Sequence, residues 1–406
     1  IDYKRYSYKN IKLNGKLIPN EVYGIASIND KNIKLNISGL ADWDRKSARL
    51  DLKVDIDDFA PNALNLTKSN PDLRLGATTY ISLSTHGNNR EILDNLSGYV
   101  IFDSINLANN TDEHLIKQLK VLFDSETQSS KQLRIQSDMV TGSIYGNYNY
   151  SSLPIVIKHI LHQSLPDIID KPKQAFPLHT NLDFYVYLRR IDELKDIFNF
   201  KINIPSYPAI KGYIHNKDLK LMASIPQLET KTVNLEDITI AINNDNKRLN
   251  LSLYALTHLP QHNPTVAKLG DIKTTIELSA ANNIVDLDIL LGNTDSVRNG
   301  GDISITSTIS EYLNKPKFDI QIKPTNIILN DSIWTISPTK ITYAQATNSI
   351  DIHNLKLNTN YQSIIADGRI SKEVTDSLDI QLNNININYL LTYTDASKVI
   401  SIQGPV

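Results

Sequence analysis

Apolar and polar residues alternate along this chain with a period of two, and the alternation returns for most of its length. Leu50, Leu52, Val54 and Ile56 are interleaved with Asp51, Lys53, Asp55 and Asp57. Leu182, Phe184, Val186 and Leu188 repeat the pattern. So do Ile238, Ile240 and Ile242, then Leu249, Leu251 and Leu253, then Ile272, Ile276 and Leu278, and then Leu378, Ile380 and Leu382. Successive side chains of a strand point to opposite faces, so each run makes one apolar and one polar face. Many such strands in series imply an all-β fold whose apolar side has to be covered by something.

Asn and Gly punctuate the runs: Asn14-Gly15, Asn29-Asp30, Asn88-Asn89, Asn243-Asn244-Asp245-Asn246 and Asn299-Gly300-Gly301. Both residues tolerate positive φ, so these steps read as hairpin turns. In the first 150 residues strands are expected at 33–37, 49–57, 73–75, 81–83, 99–107, 133–135 and 143–150. Residues 114–123 fit two templates. Leu115, Ile116, Leu119, Leu122 and Phe123 suit a helix face, while Leu119, Val121 and Phe123 suit a strand.

Helices are few. An amphipathic helix is predicted over 152–165, capped by Ser152, with Pro154 in its first turn and Leu153, Val156, Ile157, Ile160 and Leu161 on one face. A short one is expected at 192–198. The polar, Pro-bearing stretch 170–177 reads as a bend, dividing the chain into segments 1–170 and 171–406. From Lys201 strands resume, interrupted by Pro-containing turns at 259–265 and 315–324.

Composition removes several function classes. Net charge is −2, and no basic cluster is interleaved with aromatics, so nucleic acid is not an expected partner. Cysteine is absent, which excludes disulfides, thiol nucleophiles and CxxC metal sites. No run approaches the ~18–20 apolar residues of a membrane-spanning helix. The first residues do not form a signal peptide, and the chain does not start with Met; it reads as part of something larger, with any membrane anchor outside it.

No catalytic or cofactor motif emerges. His159 and His162 stand three apart on the helix without the Glu of a zinc-protease motif, and His258 and His262 flank a proline. The stretch from Gly292 to Asp302 is rich in oxygen ligands but lacks calcium-loop spacing. Asp57-Asp58 reads as a solvated turn, and Trp43, Trp334 and the Tyr145/Tyr148/Tyr150 group as packing residues. The expectation is a non-enzyme with no cofactor and no metal.

Four segments carry a resemblance. They are KQLRIQSDMVTGSIYGNYNYSSLPIVIKHILHQSLP at 131–166, FPLHTNLDFYVYLRRIDELKDIFN at 176–199, PTNIILNDSIWTISPTKITY at 324–343, and IDIHNLKLNTNYQSIIADGRISKEVTDSLDIQLNNININYLL at 350–391. In order and spacing they resemble the TamB (translocation and assembly module) family, within the AsmA-like group of bridge-like lipid transport proteins, in the form found in Bacteroidetes-type bacteria. The resemblance favours a strand at 114–123. It implies an elongated, twisted and curled antiparallel sheet forming an apolar groove (a β-taco), in a periplasmic protein anchored to the inner membrane by a part not in this chain. It further implies phospholipid as cargo, with the acyl chains in the groove, and an outer-membrane assembly barrel as a second partner.

In that reading the lining comes from the apolar runs above, Ile242 and Ile272 aside. Burial of hydrocarbon is worth ~0.8 kcal/mol per methylene, so a diacyl lipid faces more than ~20 kcal/mol to cross water unaided. A continuous, chemically monotonous trough would remove most of that barrier. The helix at 152–165 would cover one end of the sheet or lie across the trough mouth. The alternative is a secreted or surface binding protein or adhesin of tandem β-sandwiches, in which the apolar faces cover one another. A β-helical polysaccharide lyase ranks last, for want of a Lys/Arg/Asp constellation.

Overall fold

Alternating runs separated by turn residues fold into hairpin after hairpin. The computed structural model describes residues 1–44, 46–68, 70–87, 92–127, 130–177, 180–198, 202–230, 233–245, 247–258, 270–293, 299–329 and 331–385. The chain is 66% strand and 6% helix, so the all-β, antiparallel expectation holds. It divides into two compact units.

The first unit comprises residues 1–154, 177–217 and 228–231. It opens with a small ribbon, β1 (Asp2–Tyr3) and β2 (Tyr6–Ser7). Then follow β3 (Ile11–Ile18), β4 (Glu21–Asn29), β5 (Ile33–Trp43), β6 (Ser47–Phe59), β7 (Arg74–His86), β8 (Ser97–Ala108), β9 (Glu113–Thr127), β10 (Ser130–Ser137) and β11 (Val140–Asn147). After β11 comes the one substantial helix, α1 (Leu153–Ser164), which from Ile155 onward belongs to the second unit. The first unit resumes with β12 (Asn181–Leu188), a 3-10 turn at Ile191–Leu194, the one-turn helix α2 (Lys195–Phe198) and β13 (Ala209–His215). From β4 to β13 each strand pairs antiparallel with the strand before it. One end of this sheet is closed by the β6–β7 connection and α2: Leu73, Leu107 and Ile197 form a buried cluster with Leu75, Ile105, Ile116, Leu194 and Phe198 against it.

The second unit comprises residues 155–176, 218–227 and 232–406. Its strands are β14 (Asp218–Glu229, to Gln227 in this unit), β15 (Asn234–Asp245), β16 (Arg248–His258), β17 (Ile272–Ala281), β18 (Ile284–Asn293), β19 (Gly300–Tyr312), β20 (Lys315–Ile322), β21 (Thr325–Leu329), β22 (Ser332–Ile336), β23 (Thr339–Ala344), β24 (Ser349–Asn358), β25 (Ser363–Ile370) and β26 (Leu378–Asn383). Pairing is sequential from β15 to β20 and from β23 to β26. β20 joins β23 directly, and the hairpin β21–β22 sits beside them, bonded to β19 and β24. Asn282 and Asn283, at φ 50° and 62°, turn β17 into β18, whereas Asn14-Gly15, expected as a turn, lies in the middle of β3 and pairs with Ile25 and Gly24.

Helix α1 covers an end of this sheet, the first of its two expected placements. Val156, Ile160 and Ser164 are its buried face, at 0%, 1% and 1% exposure. Asn283 donates its amide to the Ser164 carbonyl at 3.1 Å, and its side-chain oxygen accepts from the Asp167 amide at 3.0 Å.

Four expectations need correction or comment. Of the expected turn at 315–324, residues 315–322 are strand β20, where Pro316 stands second and its carbonyl still accepts from the Gln345 amide, and only 323–324 form the break. Runs 73–75 and 81–83 belong to one strand, β7, which begins at Arg74. The ambiguous 114–123 lies within β9. Strands β3 and β4 were not anticipated, since Gly15 interrupts the alternation of Ile11, Leu13 and Leu17. The turn expected at 259–265 lies outside the described residues.

Candidate functional site

Strand register decides whether scattered apolar runs become a surface. In the first unit it stacks them into rows that cross the sheet. One row runs Gly39, Leu52, Ile81, Val100, Val121, Ile135, Gly142, Val186. Beside it runs Ala41, Leu50, Leu83, Gly98, Phe123, Leu133, Ile144, Phe184. On its other flank lie Ile37, Val54, Thr79, Phe102 and Leu119. The second unit repeats the arrangement with Ile242, Leu251, Leu278, Leu287, Ile305 and Ile322, next to Ile240, Leu253, Ile276, Ile289 and Ile303.

Most positions in these rows are not sealed, although Thr79 at 4% exposure and Gly142 are buried. Leu52, Ile81, Val100, Val121 and Ile135 are each only half-buried, and so are Leu251, Leu278, Leu287 and Ile305. In a two-layer sandwich the central rows are the most deeply buried positions. Here many of the buried apolar residues lie toward strand ends instead, among them Ile33, Leu107, Leu182, Ile214 and Ala280. Of the candidate lining residues, Leu182 and Ile238 are buried, Ile380 is 58% exposed in the last strand described, and the others are half-buried. Ile238 falls at a bulge between Glu236 and Thr239.

Glycines take places in the apolar rows, and two of them adopt a backbone conformation that a side chain would not permit. Gly98 and Gly146 adopt φ 121° and 143°, and a Cβ there would lie 2.0 Å from the Ser82 carbonyl oxygen and 2.1 Å from that of Asn181. Glycine positions of this kind are one device by which sheets curve.

The opposite face is a polar lattice. Ser82 donates to Asp51 at 2.6 Å, Thr78 to Asp55 at 3.0 Å, Thr306 to Asp286 at 2.8 Å and Thr342 to Asp319 at 2.8 Å. The Ser82 hydroxyl, with Arg49, holds the Asp51 carboxyl below its ordinary pKa. At Asp319 burial works the other way, but Thr342 and Lys317 outweigh it and the pKa is again lowered. Cross-strand pairs of this kind support a solvated face.

Chemistry-bearing residues are accounted for structurally. His159 meets the Gln174 carbonyl at 2.8 Å and His162 that of Ile169 at 2.5 Å, strapping the segment after α1 onto the helix. His258 lies between Asp271 (3.0 Å) and Glu236 (3.1 Å), while His262 is outside the described residues. Part of the 292–302 stretch is also outside them; the Asn293 side chain there accepts from the Asn299 amide at 2.7 Å. Asp58 pairs with Arg74 at 2.5 Å. Tyr148 is 2% exposed and packs edge-on against Tyr150, while Tyr145 is exposed on the polar face, so the three do not form one patch. Trp43 is 43% exposed at the end of β5, and Trp334 is half-buried. No metal-binding cluster of His, Cys, Asp and Glu occurs among the described residues.

What sequence reasoning missed lies in β3 to β6. There Gly15, Gly24 and Gly39 occupy one row, and a depression of about 380 Å³ opens over them. No helix among the described residues is long and apolar enough to cross a membrane. Comparisons with protein-family models, with curated proteins and with solved structures found no match.

Proposed function

We propose that the apolar rows are a surface for lipid acyl chains, and that the protein conducts phospholipid along them between the membranes of a bacterial envelope. The observation that carries this reading is the half-burial of the central rows. Alternation this regular puts a large apolar area on one face, and among the described residues no second protein layer within either unit seals it. Water is a poor occupant for such a face, since each methylene removed from water gains ~0.8 kcal/mol. Hydrocarbon chains match it.

The composition of the rows suits transport better than storage. Ile, Leu and Val recur from strand to strand, so a chain displaced by one strand exchanges one set of contacts for a near-identical one. No step is much deeper than the next, and the lipid slides. The resemblance to the TamB family points the same way and suggests the periplasm as the setting, with an outer-membrane assembly barrel as a partner.

Photo-crosslinking with mass spectrometry tests the proposal. Crosslinkers at Leu52, Leu251 and Ile380 are compared with controls at Lys53, Ser252 and Gln381, which alternate with them. Phospholipid adducts confined to the first set are expected. Equal labelling of both sets, or purified protein free of phospholipid, overturns the reading.

A further inference from the structure

The apolar face of the first unit is most open at β3 to β6. Leu13 and Leu17 are 77% and 75% exposed, far more than an ordinary sheet residue of their type. Between them runs a trench. Its floor is the row Gly15, Gly24, Gly39, which pair directly across three strands. Leu13 and Ala26 stand on one side of it, Leu17 and Ala41 on the other, and Leu52, next in the row, closes the far end. Elsewhere the same row is filled by Ile81 and Val100, so the missing side chains are what create the space.

Dimensions and charge restrict the occupant. Four strands about 4.8 Å apart make the trench roughly 14 Å long, room for about eleven carbons of an extended acyl chain. Its volume of about 380 Å³ falls within the ~300–1,000 Å³ of ligand pockets. At the near end, β3 has β4 as its one ladder partner among the described residues of this unit. Lys12 and Lys16 lie on β3 on the face opposite Gly15, at the edge strand of the trench, both exposed. Residues 1–40 carry seven Lys and Arg against three Asp and Glu, in a chain whose net charge is −2. Lysine stems are long enough to pass around a strand edge and present the ammonium at the mouth.

We infer that this trench seats one acyl chain of an anionic phospholipid, with the chain end at Leu52 and the phosphate held by Lys12 and Lys16. The inference rests on the lipid reading of the apolar face and adds to it a fixed seat, an orientation and a head-group charge. The rows described above are filled mostly by Ile, Leu, Val and Phe, with single glycines at Gly98 and Gly142; this one site sets three glycines in succession. It is therefore the place where the protein discriminates between lipids before the chain enters the rest of the face.

Binding of phosphatidylglycerol and phosphatidylcholine carrying the same fluorescent parinaroyl chain tests it, with free parinarate as a third probe. Wild-type protein should bind the phosphatidylglycerol probe about tenfold tighter than the phosphatidylcholine probe. K12Q/K16Q should abolish that preference, weakening both phospholipid probes, which share the phosphate, and the phosphatidylglycerol probe the more. Ala41→Trp, which fills the trench, and L13S/L17S, which alters only solvent-exposed side chains, should each weaken both phospholipid probes about tenfold, with circular dichroism verifying the fold. Full binding by both trench variants would overturn the seat while leaving the wider lipid reading intact. A preference that survives K12Q/K16Q would overturn the head-group assignment, and binding of free parinarate alone would overturn phospholipid as the occupant. No binding of any probe by wild-type protein would remove the lipid reading itself.

Discussion

The Ser164 hydroxyl donates a 2.8 Å hydrogen bond to the carbonyl of Lys247, across eighty-three residues of sequence. Ser164 is 1% exposed, and Lys247 is in the turn between β15 and β16, at φ 67°. The bond therefore fixes the last turn of α1 to the end of the sheet that it covers. Ser164→Ala should cost about 1 kcal/mol in chemical denaturation, the usual net worth of such a bond. Hydrogen exchange should rise at residues 245–248 and stay unchanged in the first unit.

Gly98 and Gly292 offer a contrast. A side chain on Gly98 collides with the Ser82 carbonyl, whereas one on Gly292 meets nothing within 4 Å. Gly98→Val should destabilise by more than about 3 kcal/mol, combining a forbidden φ with a backbone clash. Gly292→Ala should stay within about 0.5 kcal/mol of wild type. Thermal unfolding of the two variants side by side checks both.

His258 sets a pH dependence. Burial disfavours its charged form, but Asp271 and Glu236 outweigh burial and raise the imidazole pKa above its ordinary 6.5. A group whose pKa rises on folding contributes fully at pH below its unfolded value and loses that contribution as pH climbs through the folded value. Stability should thus fall as pH rises above 6.5. His258→Gln should flatten that part of the profile; an unchanged slope in the variant would show that the decline originates elsewhere.

Thr79 lies in an apolar row at 4% exposure, and its hydroxyl has no hydrogen-bond partner. A buried hydroxyl left unmatched costs about 1–3 kcal/mol. Thr79→Val keeps the shape and removes the polar atom, so it should raise the denaturation midpoint, by up to about 1 kcal/mol in stability.

Much of this architecture was legible in the residues. Alternation at 49–57 placed β6, and the Ser152–Pro154 pair with an apolar stripe placed α1 within two residues. Parity along each run put its apolar residues on one face of the strand. Register did not: nothing in the sequence says that Leu52 stands beside Ile81 and Gly39, because register is set by turn geometry and by bulges such as the one at Glu236–Thr239. The glycine trench was missed for a related reason. A glycine in a strand looks like a weakening of the pattern when read along the chain, and only across strands do Gly15, Gly24 and Gly39 line up.

Sequential pairing from β3 to β13 means that every ladder in the first unit's sheet closes between strands consecutive in that unit. Most connections are short, and contact order within each hairpin is low. Each new hairpin can template on its predecessor as soon as it is made, with no need to await the far terminus. A polypeptide built this way suits growth by duplication of hairpins and assembly in the order of synthesis, and its length can change without redesign of what has already folded.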